Sequence, residues 1–369
     1  MTDIIQCVGC GSIIQTTDPE QAGYLPASAL EKSLEKGTLY CQRCFKLRHY
    51  NQLQDLTISD DVFLDKLSEI AEDKAFVICM IDIFDVEGSL IHGLPRFIGN
   101  QPFIVFVNKM DLLPKSTNQK RVKQWIQRLL KDNGLYPNDI ILGSASKNNT
   151  LADLREIIEK EARNSNIYIV GVTNVGKSTL INHLIEYYGG DKEVITTSNH
   201  PGTTLDMIKV PVNDKYAIID TPGVIHRTQL TLHLNREELK MVLPNKMIKP
   251  TTFQLNPDQT IFIGGIGRVD FIKGEKTSFT FYVSNNLYLH RTKTERATTF
   301  YDDHIGELLQ PPFKENLESF GDLSARTIKL SANQDIAISG LGWFTVNHDV
   351  EVVLWIPKGV GVSIRDSII

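Results

Sequence analysis

The residues most suited to chemistry lie in one stretch, Gly171-Val172-Thr173-Asn174-Val175-Gly176-Lys177-Ser178-Thr179. Glycines frame a loop whose successive amide N–H groups can surround phosphate oxygens. Lys177 can reach the outer phosphates, and the Ser178 hydroxyl suits Mg²⁺. Such a loop works only between a strand and a helix. The β-branched run Ile167-Tyr168-Ile169-Val170 supplies the first, and Thr179 to Ile185, apolar at helical spacing, supplies the second. Without those flanks the same residues would be a Gly-containing turn.

A second group concerns a base. The apolar run Pro102 to Val107 reads as a buried strand and delivers Asn108-Lys109-Met110-Asp111. The Asp111 carboxylate can accept from the guanine N1–H and exocyclic amine together, a pair of donors that adenine lacks. Asn108 can hold the other polar edge of the base and the neighbouring loop, while the Lys109 stem covers a ring face. A third strand, Asp139 to Gly143, ends in Ser144-Ala145-Ser146, small residues that let the backbone approach the base and offer it an N–H. Further on, Met207 to Val212 and Lys215 to Ile219 read as a hairpin ending in Asp220-Thr221-Pro222-Gly223. Asp220 can anchor the metal and Gly223 can give its N–H to a γ-phosphate. Thr204, in Pro201-Gly202-Thr203-Thr204, can complete the Mg²⁺ shell; an ordinary Pro-Gly turn is the alternative. The set predicts a GTP/GDP and Mg²⁺ site made of Asn108, Lys109, Asp111, Ser144, Ala145, Ser146, Asn174, Val175, Gly176, Lys177, Ser178, Thr179, Asp220 and Gly223, with Lys177, Thr204 and Gly223 acting on the phosphates.

A third group is made of cysteines. Four of the five fall in Cys7-Val8-Gly9-Cys10 and Cys41-Gln42-Arg43-Cys44. Two Cys-x-x-Cys turns together complete the four-thiolate tetrahedral shell of a structural Zn²⁺. Two disulfides, or a redox-active pair, are the other readings, the first disfavoured in a reducing compartment and the second by the presence of two pairs. Arg43, Lys46, Arg48, His49 and Tyr50 around the second turn suit phosphate and base contacts, or form a solvated face.

The elements that must position these groups follow from periodicity and length. With 369 residues the chain has room for roughly two to three domains. Asp60 to Ile70 reads as a short helix, Ala75 to Asp82 as a buried parallel strand with Cys79 as a core residue, and Asp82 and Asp85 as residues that cap and shape the following loop. Helices are predicted from about Asn118 to Lys131 and Leu151 to Ala162, with a polar joint, Arg163 to Asn166, leading into the phosphate-loop strand. Leu230 to Leu243 reads as helical. From Gln259 onward, runs such as 259–269, 278–283, 327–330, 336–346, 350–355 and 360–364 alternate with Gly and Asn turns, interrupted by a helical stretch from Ala297 to Leu309. This predicts a mostly β domain whose one locally basic run is His290 to Arg296, and the chain shows no internal repeat or low-complexity tract. A net charge of -5 gives no sequence-wide attraction to nucleic acid or anionic membrane. The start carries no leader pattern and no apolar run reaches the roughly eighteen residues of a membrane span, so the expectation is a cytoplasmic protein with no membrane partner.

Motif order carries a resemblance. Conventional small GTPases run phosphate loop, switch threonine, Asp-x-x-Gly, Asn-Lys-x-Asp, Ser-Ala-x, whereas here the last two come first. With the N-terminal double Cys-x-x-Cys, residues 1 to about 226 resemble the circularly permuted GTPases of the YqeH type. The resemblance implies an α/β fold: a zinc-binding module (1–60) held by Cys7, Cys10, Cys41 and Cys44, a permuted P-loop GTPase domain (61–226) and a C-terminal β-rich domain (227–369). It implies GTP hydrolysis in assembly of the bacterial small ribosomal subunit, with ribosomal RNA or a small-subunit precursor as partner, ribosomal protein contacts, and the C-terminal domain taking part. Gly223 is followed by Val224-Ile225 where Ras-like proteins carry a water-orienting glutamine, which predicts slow intrinsic turnover. Asn174 matches an asparagine that in related GTPases coordinates K⁺, a charge that would stand in for an arginine finger. The residues alone also allow a GTP switch for a protein partner, and the family allows a large-subunit assembly factor.

Overall fold

The computed structural model describes residues 5, 7, 12–19, 21, 23–30, 39–42, 44–45, 57–58, 67–162, 164–188, 208–211, 216–221, 223–224 and 228–369. The chain divides into two compact units: residues 1–83, 89–110 and 126–225 form the first, and 84–88, 111–125 and 226–369 the second.

The first unit is built on a six-stranded sheet. Its strands are β2 (Ala75–Asp82), β3 (Phe103–Asn108), β4 (Ile140–Leu142), β5 (Asn166–Val170), β6 (Ile208–Pro211) and β7 (Ala217–Asp220), in the order β4-β3-β2-β5-β7-β6. All neighbours are parallel except the β6–β7 hairpin. Every residue of β2 and β3 is buried, as expected of strands covered on both faces whose sequences are continuous in apolar residues. Crossover connections between parallel strands need helices, here α1 (Gln119–Asp132), of which this unit holds the part from Ile126 onward, α2 (Asn148–Glu161) and α3 (Lys177–Tyr188). The chain enters the sheet at β2 in its middle, fills one side out to β4, and returns through α2 to β5 beside β2. This is the strand order expected if the sheet's old ends were joined between α2 and β5, where Ser165 N donates to Ala162 O at 2.7 Å. Asp73 fixes the new strand start by accepting from Asn166 Nδ2 (2.7 Å) and from the Tyr168 hydroxyl (2.8 Å); burial and that carboxylate both push the Tyr168 phenol upward. A separate two-stranded parallel ladder pairs β1 (Thr57–Ile58) with β8 (Gly223–Val224). No described helix is long and apolar enough to cross a membrane.

The second unit is a pair of five-stranded antiparallel sheets. Its strands are β9 (Thr251–Leu255), β10 (Gln259–Ile263), β11 (Gly267–Gly274), β12 (Thr277–Val283), β13 (Leu289–Lys293), β14 (Leu323–Leu330), β15 (Gln334–Ile338), β16 (Gly342–Val346), β17 (Val350–Pro357) and β18 (Val362–Asp366), in the orders β13-β10-β11-β17-β14 and β18-β15-β16-β12-β9. One apolar core, with Ile261, Val269 and Phe271 from the first sheet and Phe279, Ile336 and Phe344 from the second, lies between them. The two orders become identical when β9 to β13 are exchanged for β14 to β18. The unit is therefore an internal repeat, contrary to the reading of the sequence. Gln259-Thr260-Ile261-Phe262-Ile263-Gly264-Gly265-Ile266-Gly267 corresponds to Gln334-Asp335-Ile336-Ala337-Ile338-Ser339-Gly340-Leu341-Gly342, and each is preceded by a left-handed residue, Asp258 (φ 66°) and Asn333 (φ 61°). Even the buried polar pair is kept, with its members exchanged: Thr260 Oγ1 donates to Asp270 Oδ1 at 2.7 Å, and Thr345 Oγ1 to Asp335 Oδ1 at 2.6 Å. Each sheet takes three strands from one repeat and two from the other.

Several boundaries differ from expectation. The runs 259–269 and 336–346 are each two strands broken at a glycine turn, and β9 is an edge strand that the sequence reading did not register. The helix expected over 230–243 is a 3-10 turn (Leu230–His233) followed by α4 (Arg236–Val242), whose start is fixed by a capping box between Asn235 and Glu238. The interrupting helix is α5 (Thr294–His304). Of the predicted Asp60–Ile70 helix only 67–69 fall among the described helical residues.

Candidate functional site

The phosphate loop leaves the carboxyl end of β5 and runs into α3, as the strand, loop and helix pattern predicted. Lys177, 2% exposed, turns its ammonium back into the loop and donates to the carbonyls of Gly171 and Val172, both at 3.0 Å. Asn174 adopts a left-handed backbone (φ 63°) at the exposed tip, while Val175 and Ser178 are buried and Thr179 is exposed. Gly176 (φ 97°) has no alternative: a Cβ there would press on the Asn108 side-chain amide.

Asn108 explains that closeness. Its Nδ2 donates to Val175 O at 2.6 Å and its Oδ1 accepts from Ala145 N at 2.7 Å, so one buried side chain ties β3, the phosphate loop and the Ser144-Ala145-Ser146 loop together. The same loop is held by His183 of α3, whose Nδ1 lies 2.7 Å from Ala145 O, and by Met110 N donating to Gly143 O at 2.9 Å. Ser144 and Ala145 are buried, and Ser146 is exposed with its hydroxyl 2.9 Å from that of Ser144. Asp111 follows in a 3-10 turn spanning Met110–Leu112 and is exposed. Lys109, also left-handed (φ 65°), ion-pairs with Asp82 at 2.6 Å and donates to Asn174 O at 2.5 Å. Asp82, expected to cap and shape its loop, instead pairs its side chain with Lys109 of the Asn-Lys-x-Asp motif. Asp85 does cap its turn, accepting from Gly88 N at 3.1 Å.

Asp220 ends β7 directly beside Ile169 of β5 and is buried, and Thr221 secures that crossing by donating its hydroxyl to Ile169 O at 2.8 Å. This carboxylate thus leaves the same edge of the sheet as the phosphate loop. Gly223 is the first residue of β8, paired with Thr57. Thr204 lies outside the described residues, as does the basic cluster formed by Arg43, Lys46, Arg48, His49 and Tyr50. The sequence carries no signal for the bonds of His183 and Thr221, and it places Asp82 at a strand end without showing that Asn108 stands opposite in parallel register.

In the N-terminal segment the sulfurs of Cys7, Cys41 and Cys44 lie within 4.8 Å of one another, all buried, and Cys10 is outside the described residues. Cys41 N donates to Cys7 Sγ at 3.1 Å, the bond that stabilises a thiolate. Three converging sulfurs of this kind fit a soft or borderline cation such as Zn²⁺ and leave a fourth position to fill.

Residues 276–368 match the family model described as YqeH-like, C-terminal, and residues 166–253 match that described as 50S ribosome-binding GTPase. The chain is 44% identical over 367 residues to the YqeH protein of Bacillus subtilis (strain 168), covering 99% of each. The chain belongs to the YqeH family. It is a GTPase, and the YqeH-like match falls on its β-rich unit while the GTPase match begins with β5 and its phosphate loop. More distant YqeH relatives include the NO-associated protein 1, chloroplastic/mitochondrial, of Arabidopsis thaliana, 28% identical over all of this chain and 77% of its own length. Ribosome biogenesis GTPase A of Priestia megaterium is 29% identical over 36% of this chain and 46% of its own.

Proposed function

We propose that this GTPase acts in ribosome assembly, binding ribosomal RNA or a ribosomal protein of a small-subunit precursor in a nucleotide-dependent way. The observation that carries the reading is 44% identity to YqeH over the full length, combined with base, phosphate and third loops that are tied together by Asn108. In this account Asn108, Lys109, Asp111 and 144–146 hold guanine, Asn174 to Thr179 cradle the phosphates, and Lys177 and the Gly223 N–H stabilise the charge that develops on the γ-phosphate. Ser178, Asp220 and Thr204 would hold Mg²⁺, which supplies charge neutralisation between the phosphates. Cys7, Cys10, Cys41 and Cys44 would hold Zn²⁺ in the module 1–60, ahead of the GTPase domain 61–226 and the β-rich domain 227–369.

A second reading, large-subunit assembly, is favoured by the description of the model that matches 166–253. Co-sedimentation with small- and large-subunit precursors, GTP-locked and GDP-bound, separates the two. Enrichment on the small-subunit particle in one nucleotide state supports the proposal; enrichment on the large one supports the second reading, and binding to neither contradicts both.

Asn174 at the loop tip, together with Val224 in place of a water-orienting glutamine, supports a further feature of the same site: K⁺ as a charge on the phosphates. Turnover should be faster in K⁺ than in Na⁺ at matched ionic strength, and Asn174→Ala should remove most of the difference. Equal rates in the two salts would contradict it.

A further inference from the structure

Asp82 and Asn108 are direct neighbours at the carboxyl ends of β2 and β3, and Ile83 N donates to Asn108 O at 3.1 Å just beyond them. The Asp82 side chain is 9% exposed and its Oδ2 meets the Lys109 ammonium at 2.6 Å. That ammonium also donates to the Asn174 carbonyl of the phosphate loop. Lys109 is thus fixed at both ends, by a left-handed backbone that lysine seldom adopts and by two acceptors at the tip of its side chain.

We infer that Asp82 is a positioning residue for guanine-nucleotide binding: it holds the Lys109 side chain stretched toward the phosphate loop before the nucleotide arrives. The inference rests on the reading of Lys109 as the residue whose stem covers the base. A free lysine must surrender much rotamer freedom to lie against a ring, and that loss subtracts from affinity. Anchoring the ammonium beforehand moves the loss into folding. A carboxylate is the acceptor suited to this role, since it makes a charge-assisted bond where little water competes. An amide of the same shape would keep the packing but weaken the hold on the cation, because its oxygen accepts without the charge.

The test compares Asp82→Asn, Lys109→Ala and the double variant for GDP and GTP affinity, steady-state KM and kcat, and thermal midpoint. Asp82→Asn should raise the GDP Kd and the GTP KM about tenfold, with kcat at saturation within about twofold of wild type. Its effect should vanish on the Lys109→Ala background, because it acts only through that side chain. Asp82→Glu, which restores the charge, should recover part of the affinity. Were Lys109→Ala to weaken nucleotide binding while Asp82→Asn did not, or were the two losses additive, the inference alone would be overturned. An unchanged affinity in Lys109→Ala would overturn both the inference and the base-site reading. A fall in kcat and thermal midpoint without a rise in KM would show Asp82 to be a staple between strands and nothing more.

Discussion

Single residues in this chain do several jobs at once where loops converge. Asn108 is the clearest case, since the side chain that the motif assigns to the base also joins two loops from distant parts of the sequence. Buried polar groups of this kind need partners, and here one amide both donates and accepts. Cys79 shows the opposite behaviour. Within the fully buried β2, desolvation pushes its thiol up to about 12, so it stays protonated and unreactive at neutral pH. Alkylation with iodoacetamide at pH 8 should leave Cys79 unmodified in native protein and label it only after denaturant is added. Labelling in the native state at the rate of a free thiol would contradict the assigned burial.

Among the elements, α4 is held at its start by an unusual density of bonds. Asn235 accepts from Glu237 N and Glu238 N, and the fully buried Glu238 carboxylate accepts from Asn235 N, Phe313 N and Asn316 Nδ2. Asn235→Ala should cost about 1 kcal/mol as a lost cap. Glu238→Ala, which strands three donors, should cost about 3 kcal/mol. Denaturant titration of the two variants gives the order, and equal costs would mean that Glu238 serves only as the reciprocal half of the cap. The ladder of β1 with β8 reaches the Asp-x-x-Gly motif. Gly223, the residue expected to meet the γ-phosphate, is paired to the segment that follows the cysteine cluster. Stripping the metal with a chelator should therefore release zinc, near one equivalent, and raise hydrogen exchange at 223–224. Protein with well under one equivalent of zinc, or unchanged exchange after its loss, would argue against that link.

Legibility also varied by element. β2 and β3 could be read because strands buried on both faces are continuous in apolar residues, and the phosphate loop because its chemistry admits few substitutes. The glycine turns at 264–266 and 339–341 were hidden inside apolar runs, where Ile266 and Leu341 continue the β pattern. The repeat was hidden as well: outside those turns the two halves share little identity, with Phe262 standing opposite Ala337 and the Thr and Asp of the buried pair exchanged. The bonds of His183, Thr221 and Asp82 depend on which strand ends meet, and that is a property of sheet order.

At the scale of the whole molecule, the proposed nucleotide site draws on strand ends that are neighbours in the sheet although they are distant in the chain. The base loop after β3 comes before the phosphate loop in the chain, yet the two meet through Asn108 and Lys109 as closely as if they were sequential. The second unit owes its form to a different rearrangement, two repeats that exchange strands, so that neither sheet exists without both halves. The central claim is that the early base loop and the later phosphate loop form one guanine-reading site, and nucleotide choice tests it most directly. Hydrolysis of GTP and xanthosine triphosphate should be compared in the wild-type chain and in Asp111→Asn, whose amide can donate to the xanthine C2 oxygen where the carboxylate only accepts. The account predicts that wild type uses GTP and the variant prefers xanthosine triphosphate, with kcat little changed on the matched base. An Asp111→Asn variant that still binds and hydrolyses GTP as wild type does would show that Asp111 does not read the base.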